Sequence, residues 1–180
     1  MIKKIISGGQ TGADMAGLVV AKDLGIQTGG TAPQHWMTEK GCQQELLESF
    51  GLSEGPEDER VYIKRTMMNI DDSDGTLVFR PFKTTGTNFT IGYAQQKKWA
   101  PGVLTFDETQ NIKTNHKPLY VIRNFDNFSA PHIVKWIEDN KIETLNVAGP
   151  RESHHPGLEE KVSKILKQIL LCQNQTSMGI

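Results

Sequence analysis

Short apolar runs and longer amphipathic segments alternate from one end of this sequence to the other, and that alternation constrains the fold more than any other feature. "KKIIS" has the length and composition of a short buried strand. "ADMAGLVVAKDLG" follows, with Met15, Leu18, Val19 and Leu24 at helical spacing and Gly25 as a stop. "IQTGGTAP" carries a second short strand before Pro33, and "GTLVFR", "KPLYVIR" and "TLNVAG" read as further strands. Three more segments read as helices. They are "NFTIGYAQQKKW", "APHIVKWIEDNK" with Ile133, Trp136 and Ile137 on one face, and "GLEEKVSKILKQILLC" with a stripe through Leu158, Val162, Ile165, Leu166 and Ile169. Strand and helix in turn, with no internal repeat, predict parallel β-α-β units. The expected fold is a single-domain α/β structure, an open and mainly parallel sheet with helices on both faces. It would span residues 1–172, with the polar "QNQTSMGI" of 173–180 as a fraying C-terminal tail. The stretch from Pro33 to Glu59 reads as an extended loop, with "CQQELLESFGL" as a short helix inside it. "RTMMNIDDSD" reads as a helical turn or short helix.

A chain of 180 residues, 37% hydrophobic and 23% charged, is long enough and apolar enough for one self-supporting core. A net charge of −1 argues against a general nucleic-acid binder. Cys42 and Cys172 are far apart and suggest neither a disulfide framework nor a zinc site. "MIKKIISGG" is too short for a signal peptide and no apolar run reaches membrane-spanning length, so the expected location is the cytoplasm, with no membrane partner.

Ligands on open α/β sheets bind outside the carboxyl ends of the strands. The distinctive motifs are expected to fall there, after strands, and so to build one site. The first is "SGGQTGAD". A strand ending in glycines and leading into a helix presents backbone N–H groups beside a positive dipole end, which suits an anion. It is not a P-loop, because Ala13-Asp14 stand where Lys-Ser/Thr would be needed. An ordinary NAD site is also disfavoured, since "TGGTA" lacks the ribose-binding acid. The alternative is a tight strand-to-helix turn with no ligand. In "RTMMNIDDSDGT", Arg65 and Asn69 are four apart and would share a helix face. Arg65 would bind an anion and Asn69 a ribose or base edge. Asp72 or Asp74 would hold Mg²⁺ through water, or else serve as turn and cap residues. "KTTGTNFT" is a second candidate phosphate loop, with Gly86 at the turn and hydroxyls and an amide from Thr84, Thr85, Thr87 and Asn88. Its alternative is a helix cap by Thr87 or Asn88. In "NVAGPRESHHPG", Gly149-Pro150 ends a strand, Arg151 follows where the loops converge, and Glu152-Ser153 open the last helix. Adjacent side chains point apart, so His154-His155 read as a solvent-exposed pair, and no metal site is assigned. Trp36 would either stack on a flat ligand or cover the core.

With these residues in place, the sequence resembles the "putative molybdenum carrier" family of Rossmann-like proteins. "SGGQTGAD", "RT..N..DSDGT", "GT..T" and "NVAGPRES" stand in the expected order, and the resemblance covers about residues 3 to 172. The family is similar to a wider group that includes the "lonely guy" phosphoribohydrolases and the DNA-processing protein A fold. The resemblance implies a Rossmann-like fold and a phosphate-bearing pterin, the molybdenum cofactor, or a nucleotide as ligand. It implies that Gly8, Gly9, Gln10, Thr11 and Gly12 line the phosphate side, with Arg65, Thr85, Gly86, Thr87 and Arg151 completing the pocket. It also implies self-association into a homo-oligomer. Two departures stand out. Thr84-Thr85 replace the Gly-Gly that many relatives carry before Gly-Thr, which leaves that loop less free. The stretch from Trp99 to His116 is longer than the usual helix-to-strand link and reads as a lid, a hairpin or an oligomer contact.

The phosphoribohydrolases carry a Glu three residues after the Thr-equivalent of Thr87. Here that position is Thr90, so the carboxylate is missing where general acid/base work would need it. The residues point to a binder more than to an enzyme. The alternatives are a nucleotide-processing hydrolase using Asp14 or Asp74, and a non-catalytic interaction module.

Overall fold

The five residues Gly75–Phe79 are all buried, with no alternation between faces, as in a central strand covered on both sides. This strand lies in a sheet of six, in a computed structural model that describes residues 1–57, 60–95 and 117–177. In chain order these residues form β1 (Lys4–Ile6), α1 (Ala13–Asp23), β2 (Gln27–Ala32), a 3-10 turn (Gln34–Trp36), β3 (Met37–Thr38), β4 (Gly41–Cys42) and α2 (Gln44–Ser49). There follow β5 (Leu52–Glu54), α3 (Val61–Asp71), β6 (Gly75–Phe79), α4 (Thr85–Ala94), β7 (Leu119–Ile122), α5 (Ala130–Asp139), β8 (Thr144–Ala148), a second 3-10 turn (Glu152–His154) and α6 (Leu158–Ser177).

The sheet order is β5-β2-β1-β8-β6-β7 and every pairing in it is parallel. The chain winds outward from β1 through β2 to β5, starts again at β6 and β7, and returns with β8 to the gap between β1 and β6. Leu145 of β8 stands opposite Ile5 on one side and Gly75 on the other. Helices α1, α5 and α6 share one apolar layer with the strands, through Ala16, Val20, Ile133, Ile137, Leu158 and Leu166 among others. Gly17 lets α1 approach the sheet, since a Cβ there would lie 2.9 Å from Val147 Cβ. Helices α3 and α4 pack on each other and against β2 and β6, covering the opposite face. The single-domain α/β sheet with helices on both faces is therefore as the sequence predicts.

Three segments differ from expectation. Residues 33–57 are not one extended loop around a short helix. They fold into the β3–β4 hairpin, α2 and the edge strand β5, held by a cluster of Met15, Leu18, Trp36, Leu47, Phe50 and Leu52. Trp36 is buried in that cluster, so it covers core rather than facing a ligand. The polar tail does not begin at 173. Helix α6 continues to Ser177, and the side chain of Gln173 is buried, its Oε1 accepting from the Ile2 N–H at 3.2 Å. The stretch 99–116 lies outside the described residues. Among the described residues no helix is long and apolar enough to cross a membrane, and Cys42 and Cys172 are not joined.

Candidate functional site

Beyond the carboxyl ends of β1, β6 and β8, the loops that follow these strands meet α3 and α4 around a cavity of about 680 Å³. Its deep wall is an ion pair. Arg65 Nη1 lies 3.0 Å from Asp14 Oδ2, with the two side chains only 12% and 7% exposed. Asp14 stands in the first turn of α1, where the helix dipole favours a carboxylate, and it also accepts the Gln10 N–H at 3.3 Å. Burial pushes its carboxyl above the ordinary range, against the pull of Arg65 and, more distantly, Arg151. The Arg65 guanidinium lies directly on Gly8, where a Cβ would come within 1.0 Å of Nη1. Arg65 and Asn69, four apart on α3, both line the cavity.

The opening glycine loop holds its own chain. The Gly9 N–H donates to Ser7 Oγ, that of Gln10 to Asp14, that of Thr11 to Gln10 Oε1, that of Gly12 to Glu159 Oε2 and that of Ala13 to the Pro150 carbonyl, all within 3.4 Å. Two of these acceptors are carboxylates in the place an external anion would take. Gly8 and Gln10 line the cavity, whereas Gly9, Thr11 and Gly12 do not. Gly9, at φ 70°, faces Leu47 and Leu52. Gly12, at φ 80°, is crossed by the backbone of Pro150 to Glu152, so both glycines serve close packing. Thr11 instead reaches Glu39 at the tip of the β3–β4 hairpin. Glu39 also takes the Ser153 hydroxyl at 2.5 Å and the Ser153 N–H at 3.1 Å. Partial burial works to raise the Glu39 carboxyl, but these hydrogen bonds and Arg151 outweigh it and hold it below its ordinary value.

The second glycine loop has the opposite character. Thr84 caps α4 by accepting from the Thr87 N–H at 3.1 Å, so the cap is Thr84 rather than Thr87 or Asn88. The first helical residues, Thr85 and Gly86, have no carbonyl a turn earlier within the helix to receive their N–H groups. Both are exposed, both line the cavity, and a Cβ at Gly86 would meet nothing within 4 Å. Lys83 precedes them in the chain and also lines the cavity, as do Gly149, Arg151 and His154 from the segment after β8.

Two expected ligand contacts are redirected. Asn69 is buried, and its amide bridges the backbone of Thr31, accepting from its N–H at 2.7 Å and donating to its carbonyl at 3.0 Å. It therefore ties α3 to β2 instead of offering an edge to a ribose or base. Asp74 precedes β6, at the amino ends of the strands, and its carboxylate accepts from the N–H groups of Glu143 and Thr144 at 3.0 and 2.7 Å. With Asp72, at the end of α3, it belongs to the opposite end of the sheet, so neither a catalytic Asp74 nor a Mg²⁺ held by these aspartates falls at the cavity. Among the described residues no group of three His, Cys, Asp or Glu side chains is arranged to hold a metal.

The sequence reading missed three aromatic residues of the lining, Tyr62, Phe82 and Phe89. Arg151 lies over the Tyr62 ring at 5.0 Å, and Phe82 stacks on His155 at 6.0 Å and 10°. Tyr62 could have been found from Arg65, because residues three apart on a helix share a face.

The sequence profile of the circularly permutated YpsA SLOG family matches residues 5–170. Among solved structures, the chain is similar to the "Putative molybdenum carrier protein" from Syntrophus aciditrophicus SB. The identity is 32% and the TM-score 0.74, over 94% of this chain and 95% of that one. No curated protein matches.

Proposed function

The chain belongs to the circularly permutated YpsA SLOG family, and from that premise we propose that it is a small-molecule binding protein whose ligand carries a phosphate. The ligand would be a nucleotide or the phosphate-bearing pterin of the molybdenum cofactor. One observation carries the proposal: one cavity is lined by the exposed N-terminus of α4, by Lys83 just before it, and by Arg151. The fixed charges of the lining are Arg65, Lys83 and Arg151 against Asp14 alone. Arg65 is matched by Asp14, so the lining keeps an excess of positive charge from Lys83 and Arg151. A phosphate seated there would meet two cations, free amide hydrogens and a positive dipole end together. The self-occupied β1 loop would shape the pocket without holding the anion. The lining suits the phosphate and the organic part of a molybdenum cofactor. It contains no cysteine, so such a ligand would be cargo held by its pterin and phosphate.

The test is a thermal-shift titration with AMP, GMP and inorganic phosphate on the wild type, Lys83→Ala and Arg151→Ala. Ligand bound to the folded state alone raises the melting temperature. The expected result is a shift with the nucleotides in the wild type that both variants lose. No shift at millimolar concentration would refute the proposal and favour an interaction module.

Asp14's place on the cavity wall favours a second reading, in which the same pocket hydrolyses a nucleotide. Thr90 cannot serve in place of the missing Glu, since its hydroxyl is turned back to the Gly86 carbonyl at 3.0 Å. Asp14 would then be the proton-transfer group, and Asp14→Asn should abolish any nucleotide turnover that the wild type shows.

A further inference from the structure

Tyr62 lies in the first turn of α3, three residues before Arg65, and it lines the cavity. It is 42% exposed, unusually open for a large aromatic side chain on a wall that otherwise includes Ile63 and Phe82. The hydrogen bond formed at this residue is through its backbone carbonyl, which accepts from Thr66. Its ring is covered on one face by the Arg151 guanidinium, 5.0 Å from the ring centroid. A guanidinium is a flat, delocalised cation, and it lies on an aromatic face as a flat heterocycle does. Arg151 lines the same cavity as the α4 N-terminus.

We infer that Tyr62 is the stacking platform for a planar heteroaromatic group on the ligand, and that Arg151 occupies this platform until the ligand displaces it toward the phosphate. The inference rests on the phosphate-ligand reading above and names what the other end of that ligand must be. One part of the cavity, Lys83 with Thr85 and Gly86, takes the anion. The other, Tyr62, takes the ring, and Arg151 passes from one to the other. A sugar phosphate without a base would use only the first part. Tyr62 is then a specificity-determining residue, and its exposure makes its removal compatible with an intact fold.

The experiment compares two probes that share a ribose and a phosphate and differ by a base. GMP carries a guanine, whose pyrimidine edge matches that of a pterin, and ribose 5-phosphate carries none. Affinities for both are measured by calorimetry on the wild type, Tyr62→Ala and Tyr62→Phe, with melting temperatures confirming the fold of each. The expected result is that the wild type prefers GMP and that Tyr62→Ala weakens GMP binding about tenfold. Ribose 5-phosphate binding is not weakened in Tyr62→Ala, and Tyr62→Phe keeps the preference. An unchanged GMP to ribose 5-phosphate ratio in Tyr62→Ala overturns the stacking role while leaving the phosphate reading intact. A wild type that binds neither probe overturns both.

Discussion

Replacing Gly8 by alanine should break the ion pair at the bottom of the cavity without touching either of its members. A Cβ at Gly8 would lie 1.0 Å from Arg65 Nη1, 2.2 Å from Arg65 Cζ and 2.9 Å from Asp14 Oδ2. No adjustment of a few tenths of an ångström relieves such an overlap, so the guanidinium must leave. Gly8 is not in the left-handed region, so alanine is tolerated by the backbone and the cost is the side chain's own. Separating a buried pair by removing one partner costs about 3–5 kcal/mol. Here the displaced arginine can swing into an open cavity, which lowers the expectation to about 2–4 kcal/mol. For a chain of this size that is a fall of roughly 5–15 °C in melting temperature. In an Arg65→Ala background the overlap with the guanidinium is gone and only the 2.9 Å approach to Asp14 Oδ2 remains, so the same Gly8→Ala change should cost clearly less. The pH dependence gives an independent check. The folded Asp14 carboxyl is raised above its ordinary 3.8 by burial, with Arg65 its main opposing influence. Where a folded-state pKa is raised, the folded state binds more protons than the unfolded one, so stability falls as pH rises through that window. Moving Arg65 away raises the carboxyl further, so the deficit of Gly8→Ala should shrink as pH is lowered. Denaturant melts of the four proteins at several pH values measure both effects. Equal costs of Gly8→Ala in the two backgrounds would refute the argument.

Asn69→Leu should destabilise the fold by about 2–4 kcal/mol, because it strands the buried Thr31 N–H and carbonyl, and denaturant titration would show this. Glu39→Gln should alter the acid limb of the stability curve. The wild-type carboxyl, held below its ordinary 4.5, contributes stability above that value and loses it as pH falls through the folded value, and the glutamine variant should lack this component in pH-dependent melts. Truncation after Cys172 should lower the melting temperature, since it removes the Gln173 side chain that accepts from Ile2 and not merely a frayed tail.

Parts of this structure legible from local pattern were those whose cause is local. The strands β1, β6 and β8 announce themselves as mostly apolar runs, since both their faces are covered, and α6 by a stripe at the helical period. Strand β5 does not, since only Leu52 of its three residues is buried and it exists by pairing with Gly30–Ala32. The site divides in the same way. The spacing of Arg65 and Asn69 was enough to place both on one wall, but the sequence could not say that Asn69 is fully engaged by Thr31, 38 residues away. The opening loop is the sharpest case. Its glycines announce a tight turn before a helix and Asp14 is within the motif, but nothing local reveals that a carboxylate at 159 and a carbonyl at 150 also receive its amides. The two glycine loops look alike in sequence and differ in what the rest of the chain brings to them.

The position of β8 has a consequence for synthesis. Residues 144–148 fill the gap between β1 and β6, so a nascent chain that has not yet delivered them has two half-sheets with no shared edge. Each half would present an unpaired inner edge of mostly apolar strand, the kind of surface that invites wrong partners. The pocket, which draws walls from the loops after β1, β6 and β8, cannot exist before that moment. Closure of the sheet and completion of the cavity are therefore a single event that must wait for β8, and no fragment ending before it should form that cavity.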